Sequence, residues 1–180
     1  MNNSWEDKNE TKIGNLGEAI VVKGLEKVGL IVYTTSTNKS HPLDIICVND
    51  KNEDEIMFFE VKTKPHRYCC GDTGVDLHSW NRYLNLIDNY KCRMYLFFVD
   101  EYEGYIYHLN INLTIKNNKY RIKYNEGADN GIVYFSLDDM KLSKKLSIEE
   151  VEMFDNLRNE LKHPIKDINK YSGYKYFSKT

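Results

Sequence analysis

Proline is scarce in this chain, with three residues in 180. A net charge of either sign is also missing, because 25 Lys and Arg face 27 Asp and Glu and leave −2. That balance argues against a histone-like coat of positive charge, yet a small basic groove can sit on an acidic protein. No apolar run approaches the roughly 20 residues that a membrane-spanning helix needs. Cysteine is limited to Cys47, Cys69, Cys70 and Cys92, and no CxxC occurs. The adjacent pair makes no disulfide framework, so the expectation is reduced thiols in a cytoplasmic protein. Residues 1–12 have neither the apolar core nor the cleavage site of a secretory signal. A Gly-rich phosphate loop, a serine nucleophile elbow and a zinc-protease HExxH are all absent.

What is present fits a globular domain. The chain is 41% hydrophobic and 29% charged, which excludes collagen-like and wholly disordered classes. A chain of this length buries about 70% of its unfolded surface, enough for a core without staples. Residues 1–161 read as one domain. Residues 162–180 differ, with Lys162, Lys166, Lys170, Lys175 and Lys179 against Asp167, and Tyr171, Tyr174, Tyr176 and Phe177 interleaved. This tail either docks on the domain or forms an arm that stacks bases and tracks phosphates.

Periodicity supplies the elements. Ile13, Leu16, Ile20, Val21, Leu25 and Val28 recur at helical spacing over 10–29, and Gly29 closes the helix. Strands are expected at 30–35, 43–48 and 56–63, with 49–55 as turn material. A loop is expected over 65–76, then a helix over 77–90 capped by Asp76. Strands follow at 94–99 and 105–109, with weaker ones at 119–124 and 132–136. A last helix spans 147–161, where Ser147 and Glu150 form a capping box. The first three strands follow one another through short connections and should be antiparallel. The fold class is therefore α/β, a central mixed sheet flanked by helices.

The chemistry-bearing signal lies in the second and third strands. Glu60 and Lys62 project to one side, because side chains alternate along a strand. Pairing the two strands about Asn52 sets Asp44 opposite Glu60, and directly opposed residues share a face. Two carboxylates so close repel unless a cation sits between them. Mg²⁺ or Mn²⁺ would answer this, since such ions take carboxylates, waters and substrate phosphate. The Val61 carbonyl is a further candidate ligand. Lys62 would orient or help deprotonate the attacking water and neutralise charge growing on a phosphate. The plainer reading of Glu60 and Lys62 is a surface cross-strand pair. The apolar setting of each acid argues against that, because an unpaired carboxylate in an apolar strand is costly. Glu18 lies at the edge of the first helix's apolar stripe, and Gly14 and Gly17 would let that helix approach the sheet. Glu18 could thus join the cluster, or serve only as a carboxylate favoured by the helix dipole.

Gly14-x-x-Gly17-Glu18, then Asp44, then Glu60-Val61-Lys62 resembles the PD-(D/E)XK nuclease superfamily, in its Holliday-junction-resolvase-like or restriction-endonuclease-like branch. The resemblance covers about residues 10–110. Leu43 separates Pro42 from Asp44, which breaks the literal "PD". The resemblance implies a restriction-endonuclease-like fold and a Mg²⁺-dependent endonuclease, a hydrolase acting on DNA. Asp44 and Glu60 then correspond to the metal carboxylates, Lys62 to the catalytic lysine and Glu18 to the first-helix glutamate. By the same likeness, His78, Asn81 and Tyr83 on the second helix are candidates to support the site, and a homodimer is expected by analogy. Lys64, His66 and Arg67 add positive charge where a phosphate backbone would pass, or else belong to a solvated loop. Cys69, Cys70, His66 and His78 fit no zinc spacing. A rival reading is a non-catalytic nucleic-acid- or protein-binding module on the nuclease fold.

Overall fold

The computed structural model of the chain describes residues 9–35, 43–49, 52–124 and 130–161. The basic, tyrosine-rich tail over 162–180 lies outside the described residues. Helix α1 (Asn9–Lys27) leads into β1 (Leu30–Thr34), β2 (Ile45–Asn49) and β3 (Asn52–Thr63). Strand β4 (Asp72–Asp76) and α2 (Leu77–Tyr90) precede β5 (Arg93–Asp100) and β6 (Tyr105–Asn110). Then come α3 (Ile111–Lys116), β7 (Arg121–Tyr124), β8 (Gly131–Ser136), β9 (Lys141–Lys145) and α4 (Ile148–Glu160).

A six-stranded sheet runs β1-β2-β3-β5-β6-β9, and a smaller sheet runs β4-β8-β7. Strands β1, β2 and β3 are antiparallel in sequence, as expected. Strand β5 lies parallel to β3, which requires a crossover, and β4 with α2 supplies it. The order of helix, three strands and helix is the one on which the resemblance rests.

Alternation along β3 feeds two cores. Met57, Phe59 and Val61 pack with Ile13, Ile20, Val21 and Leu25 of α1 and Phe154 of α4. Phe58 packs the other way, with Trp80 and Tyr83 of α2, Met94, Leu96 and Phe98 of β5, and Val133 and Phe135 of β8. Trp80 is therefore core. Asp76 caps α2 by accepting from the Ser79 N–H at 2.7 Å. Ser147 and Glu150 form the reciprocal capping box on α4.

Several expectations need correction. Val28 is 74% exposed, because α1 ends at Lys27 and Gly29 turns the chain with φ +85°. Strand β3 begins at Asn52, so part of the expected turn is strand. The expected loop over 65–76 contains β4, whose Asp72, Thr73, Gly74 and Val75 are buried. Strand β9 and helix α3 had no periodic signal. Every residue of β9 is exposed; backbone pairing to β6 holds it, with surface contacts from Ser143 to His108 and from Lys144 to Glu150.

Candidate active site

The register of the β2–β3 hairpin builds the site. Ile45 faces Phe59, Ile46 faces Phe58 and Val48 faces Ile56. Carried one residue further, that register sets Asp44 against Glu60. Asp44 itself precedes β2, and its backbone is pinned from β1. Its carbonyl accepts from the Thr35 N–H at 3.1 Å and the Thr35 hydroxyl at 3.0 Å. The same hydroxyl reaches the Leu43 carbonyl at 2.8 Å. Asp44 Oδ2 then accepts from the Val61 N–H at 2.8 Å. A carboxylate thus takes the place of a ladder carbonyl. A residue's N–H and C=O point to the same neighbour in an antiparallel pair, so the Val61 carbonyl lies on the Asp44 side.

Glu60 is 3% exposed. Its Oε1 accepts from Lys62 Nζ at 2.6 Å and from the Tyr83 hydroxyl at 3.0 Å. Its Oε2 is buried without a hydrogen-bond partner. Burial pushes the Glu60 carboxyl up to about 7; Lys62 opposes the shift and Asp44 adds to it. Burial pulls the Lys62 ammonium down, but Glu60, Asp44 and Asp76 outweigh it and hold it above its ordinary value.

Glu18 joins this electrostatic group from the other side of the sheet. Burial raises it to about 7, Asp44 repels it further and Lys62 draws it back. The approach of α1 depends on Gly17, because a Cβ there would lie 1.9 Å from Thr63 Oγ1. Gly14 has open space around it and plays no such part.

The remaining sequence candidates divide. Tyr83 reaches the cluster but is 1% exposed, so it braces Glu60 and is closed to a substrate. His78 and Asn81 are exposed on α2; no bond to Glu60 comes from them. Lys64 donates to the Gly74 carbonyl, and burial together with Lys62 lowers its pKa to about 8. The solvated loop expected around His66 and Arg67 is instead anchored. His66 Nδ1 meets Asp100 Oδ2 at 2.5 Å. Arg67 grips Asp72 through Nε and Nη2, each at 2.7 Å, and lies 3.8 Å over the Tyr134 ring.

Two contributors escaped the sequence reading. Thr35 sits in a Thr/Ser run that reads only as a strand end. Ser79 bonds Asp76 Oδ2 at 2.8 Å and so tightens the cap of the helix that carries Tyr83.

Among the described residues, no three His, Cys, Asp or Glu side chains form a ready metal cage. The donor chemistry nonetheless suits a hard divalent ion. An orphaned carboxylate oxygen, a second carboxylate and a third raised acid share one field.

No family model matches the chain, and no curated protein matches it by sequence. Its fold is similar to those of solved nucleases. One is the Holliday junction resolvase Hjc of the archaeal hyperthermophile Archaeoglobus fulgidus. That likeness has 11% identity, a TM-score of 0.42, and covers 63% of this chain and 84% of that one. Another is a nuclease from a fusselovirus, at 12% identity and a TM-score of 0.44, covering 82% of this chain and 89% of that one. The functional reading rests on the side-chain cluster itself. No helix among the described residues is long and apolar enough to cross a membrane.

Proposed function

We propose that this chain is a divalent-metal-dependent nuclease of the PD-(D/E)XK type, hydrolysing phosphodiester bonds of DNA. The observation that carries the reading is Glu60, buried with Oε1 doubly bonded and Oε2 bare. Burying a polar oxygen without a partner is costly, and a ligand at Oε2 would remove that cost.

Asp44 and Glu60 would hold Mg²⁺ or Mn²⁺, with the Val61 carbonyl, and with Glu18 directly or through water. When bound, the ion supplies Lewis-acid polarisation of the phosphate and lowers the pKa of water. Lys62 neutralises charge that grows on the phosphate in the transition state. Tyr83 keeps Glu60 Oε1 turned away from the ligand. Lys64, one residue past β3, would meet a neighbouring phosphate only by giving up its bond to the Gly74 carbonyl. Products would carry 5′-phosphate and 3′-hydroxyl ends.

Plasmid, single-stranded and branched DNA incubated with Mg²⁺ or Mn²⁺ test the reading. Cleavage should fall by about a hundredfold or more in Lys62→Ala and in Asp44→Ala. Activity that survives in both variants would defeat the assignment. The lack of a three-acid cage among the described residues favours one second reading, a binding module without catalysis. Calorimetric titration with Mn²⁺ separates the two, because that module has no Asp44-dependent metal site.

A further inference from the structure

The turn between β3 and β4 carries chemistry that the cluster does not use. Cys69 and Cys70 are both exposed, and their sulfurs lie 3.1 Å apart. The turn holding them is tied at several points. The Arg67 carbonyl accepts from Cys70 and Gly71 N–H groups at 3.1 and 3.0 Å, and the Arg67 N–H reaches the Asp72 carbonyl at 2.7 Å. The Leu137 N–H bonds the Gly71 carbonyl at 2.9 Å, linking the turn to the end of β8. Gly71, at φ +58°, permits the reversal. The Arg67–Asp72 fork locks the base of the turn. The dithiol is thus pre-organised, which lowers the ordering cost of any ligand that bridges it.

Two outcomes compete for such a pair. A disulfide needs sulfurs about 2.05 Å apart and Cα atoms roughly 4.4–6.8 Å apart, whereas neighbouring Cα atoms sit about 3.8 Å apart. The bond would be strained and readily reduced. A single soft atom placed between the sulfurs, at bonds of about 2.3 Å, spans sulfur pairs of about 3–4 Å. The observed 3.1 Å is a thiol–thiol hydrogen bond, and it already falls within the span of such a bridge.

The coordination number narrows the ligand. Tetrahedral zinc wants four donors, and no third His, Cys, Asp or Glu completes a group here among the described residues. His66 Nδ1 is committed to Asp100. A three-coordinate thiophilic centre needs only two thiolates, its third position staying with the carbon or hydroxyl that it already carries. Cys47 and Cys92 do not compete, being buried, with thiols that burial pushes up, Cys47 to about 11.

We propose that Cys69 and Cys70 form a dithiol site that captures a trivalent arsenic-type centre, one per chain. With a monosubstituted arsenic oxide, two S–H and the arsenic–oxygen bonds break and two arsenic–sulfur bonds form. The oxygen leaves as water with both thiol protons, and nothing is oxidised or reduced.

Phenylarsine oxide added to the full chain tests this by native mass spectrometry and a count of reactive thiols. One equivalent should bind and remove both reactive thiols, and a small dithiol should reverse it where a monothiol does not. Cys69→Ser and Cys70→Ser should each bind about a hundredfold more weakly, from loss of the second arm. A stoichiometry above one, or wild-type affinity in either variant, would overturn the proposal. Prior blocking of the wild-type thiols with a maleimide should abolish capture and keeps the test valid if a variant fails to fold. Asp44→Ala should bind the arsenical like the wild type, so this result stands apart from the nuclease reading.

Discussion

Glu60 and Asp72 are both 3% exposed, and both face cations, yet their surroundings treat them in opposite ways. Asp72 has both oxygens occupied. Its Oδ1 takes Arg67 Nε, and its Oδ2 takes Arg67 Nη2 and Arg121 Nη2. Burial pushes Asp72 up, but the two guanidiniums overcome it and hold the carboxyl below its ordinary value. Glu60 has one lysine and one tyrosine, both on the same oxygen, and ends near 7. The fork on Asp72 is a finished structural joint. The cluster on Glu60 leaves one buried oxygen without a hydrogen bond, and under the proposed function that oxygen is where a ligand gains most.

Exchanging each acid for its amide breaks the comparison most sharply. Glu60→Gln should abolish cleavage, by about a thousandfold, with melting temperature kept or raised at pH 8. Asp72→Asn should retain most cleavage but lose about 2–3 kcal/mol of stability by urea unfolding. That is less than for a fully buried pair, because Arg121 is 64% exposed and reaches water. Equal effects of the two changes on activity would erase the distinction.

The pH profile gives the next largest effect. The Glu60 carboxyl rises from 4.5 to about 7 on folding, so between those values the folded chain keeps a proton that the unfolded chain releases. The resulting stability is complete below about pH 4.5 and fades as pH climbs through 7. Glu18 and Glu101 are raised to about 7 as well and act with the same sign. Metal-free melting temperature should therefore fall from pH 5 to pH 8. Glu60→Gln should flatten that slope by up to about 3 kcal/mol, and Mn²⁺ should restore the wild type at pH 8. An identical slope in the variant would count against the burial account of Glu60.

The smallest effect belongs to the brace. Tyr83→Phe removes one bond to Glu60 Oε1 and leaves Lys62 in place. Mn²⁺ affinity should fall by about three- to tenfold, equivalent to about 1 kcal/mol, with the melting temperature nearly unchanged. An unaltered affinity in calorimetry would show that Lys62 alone orients the carboxylate.

How far the sequence reached depended on the kind of signal. Two short apolar runs, 43–48 and 56–63, paired about a turn centred on Asn52, gave the hairpin register that Ile45↔Phe59 and Val48↔Ile56 show, and with it the pairing of Asp44 with Glu60. The caps at Asp76 and Ser147 were legible because one side chain bonds a backbone N–H two or three residues on. Strand β4 was not legible, since Asp-Thr-Gly-Val-Asp has neither apolar alternation nor helical spacing. It is a strand because β8 lies beside it. His66 and Arg67 read as loop charges because their partners, Asp100 and Asp72, are defined only when the sheets assemble.

The chain's own order of residues determined the antiparallel hairpin, the helix caps and the acids and amine that share one register, because each depends on neighbours or on a two-residue period. The tertiary structure decided which oxygen of Glu60 is left bare, how closely α1 lies on Thr63, and which arginines are already spent. Those outcomes depend on Tyr83, Gly17 and Asp72 meeting partners brought together by packing. Burial then sets the cost of each unpaired charge, and no local pattern encodes burial.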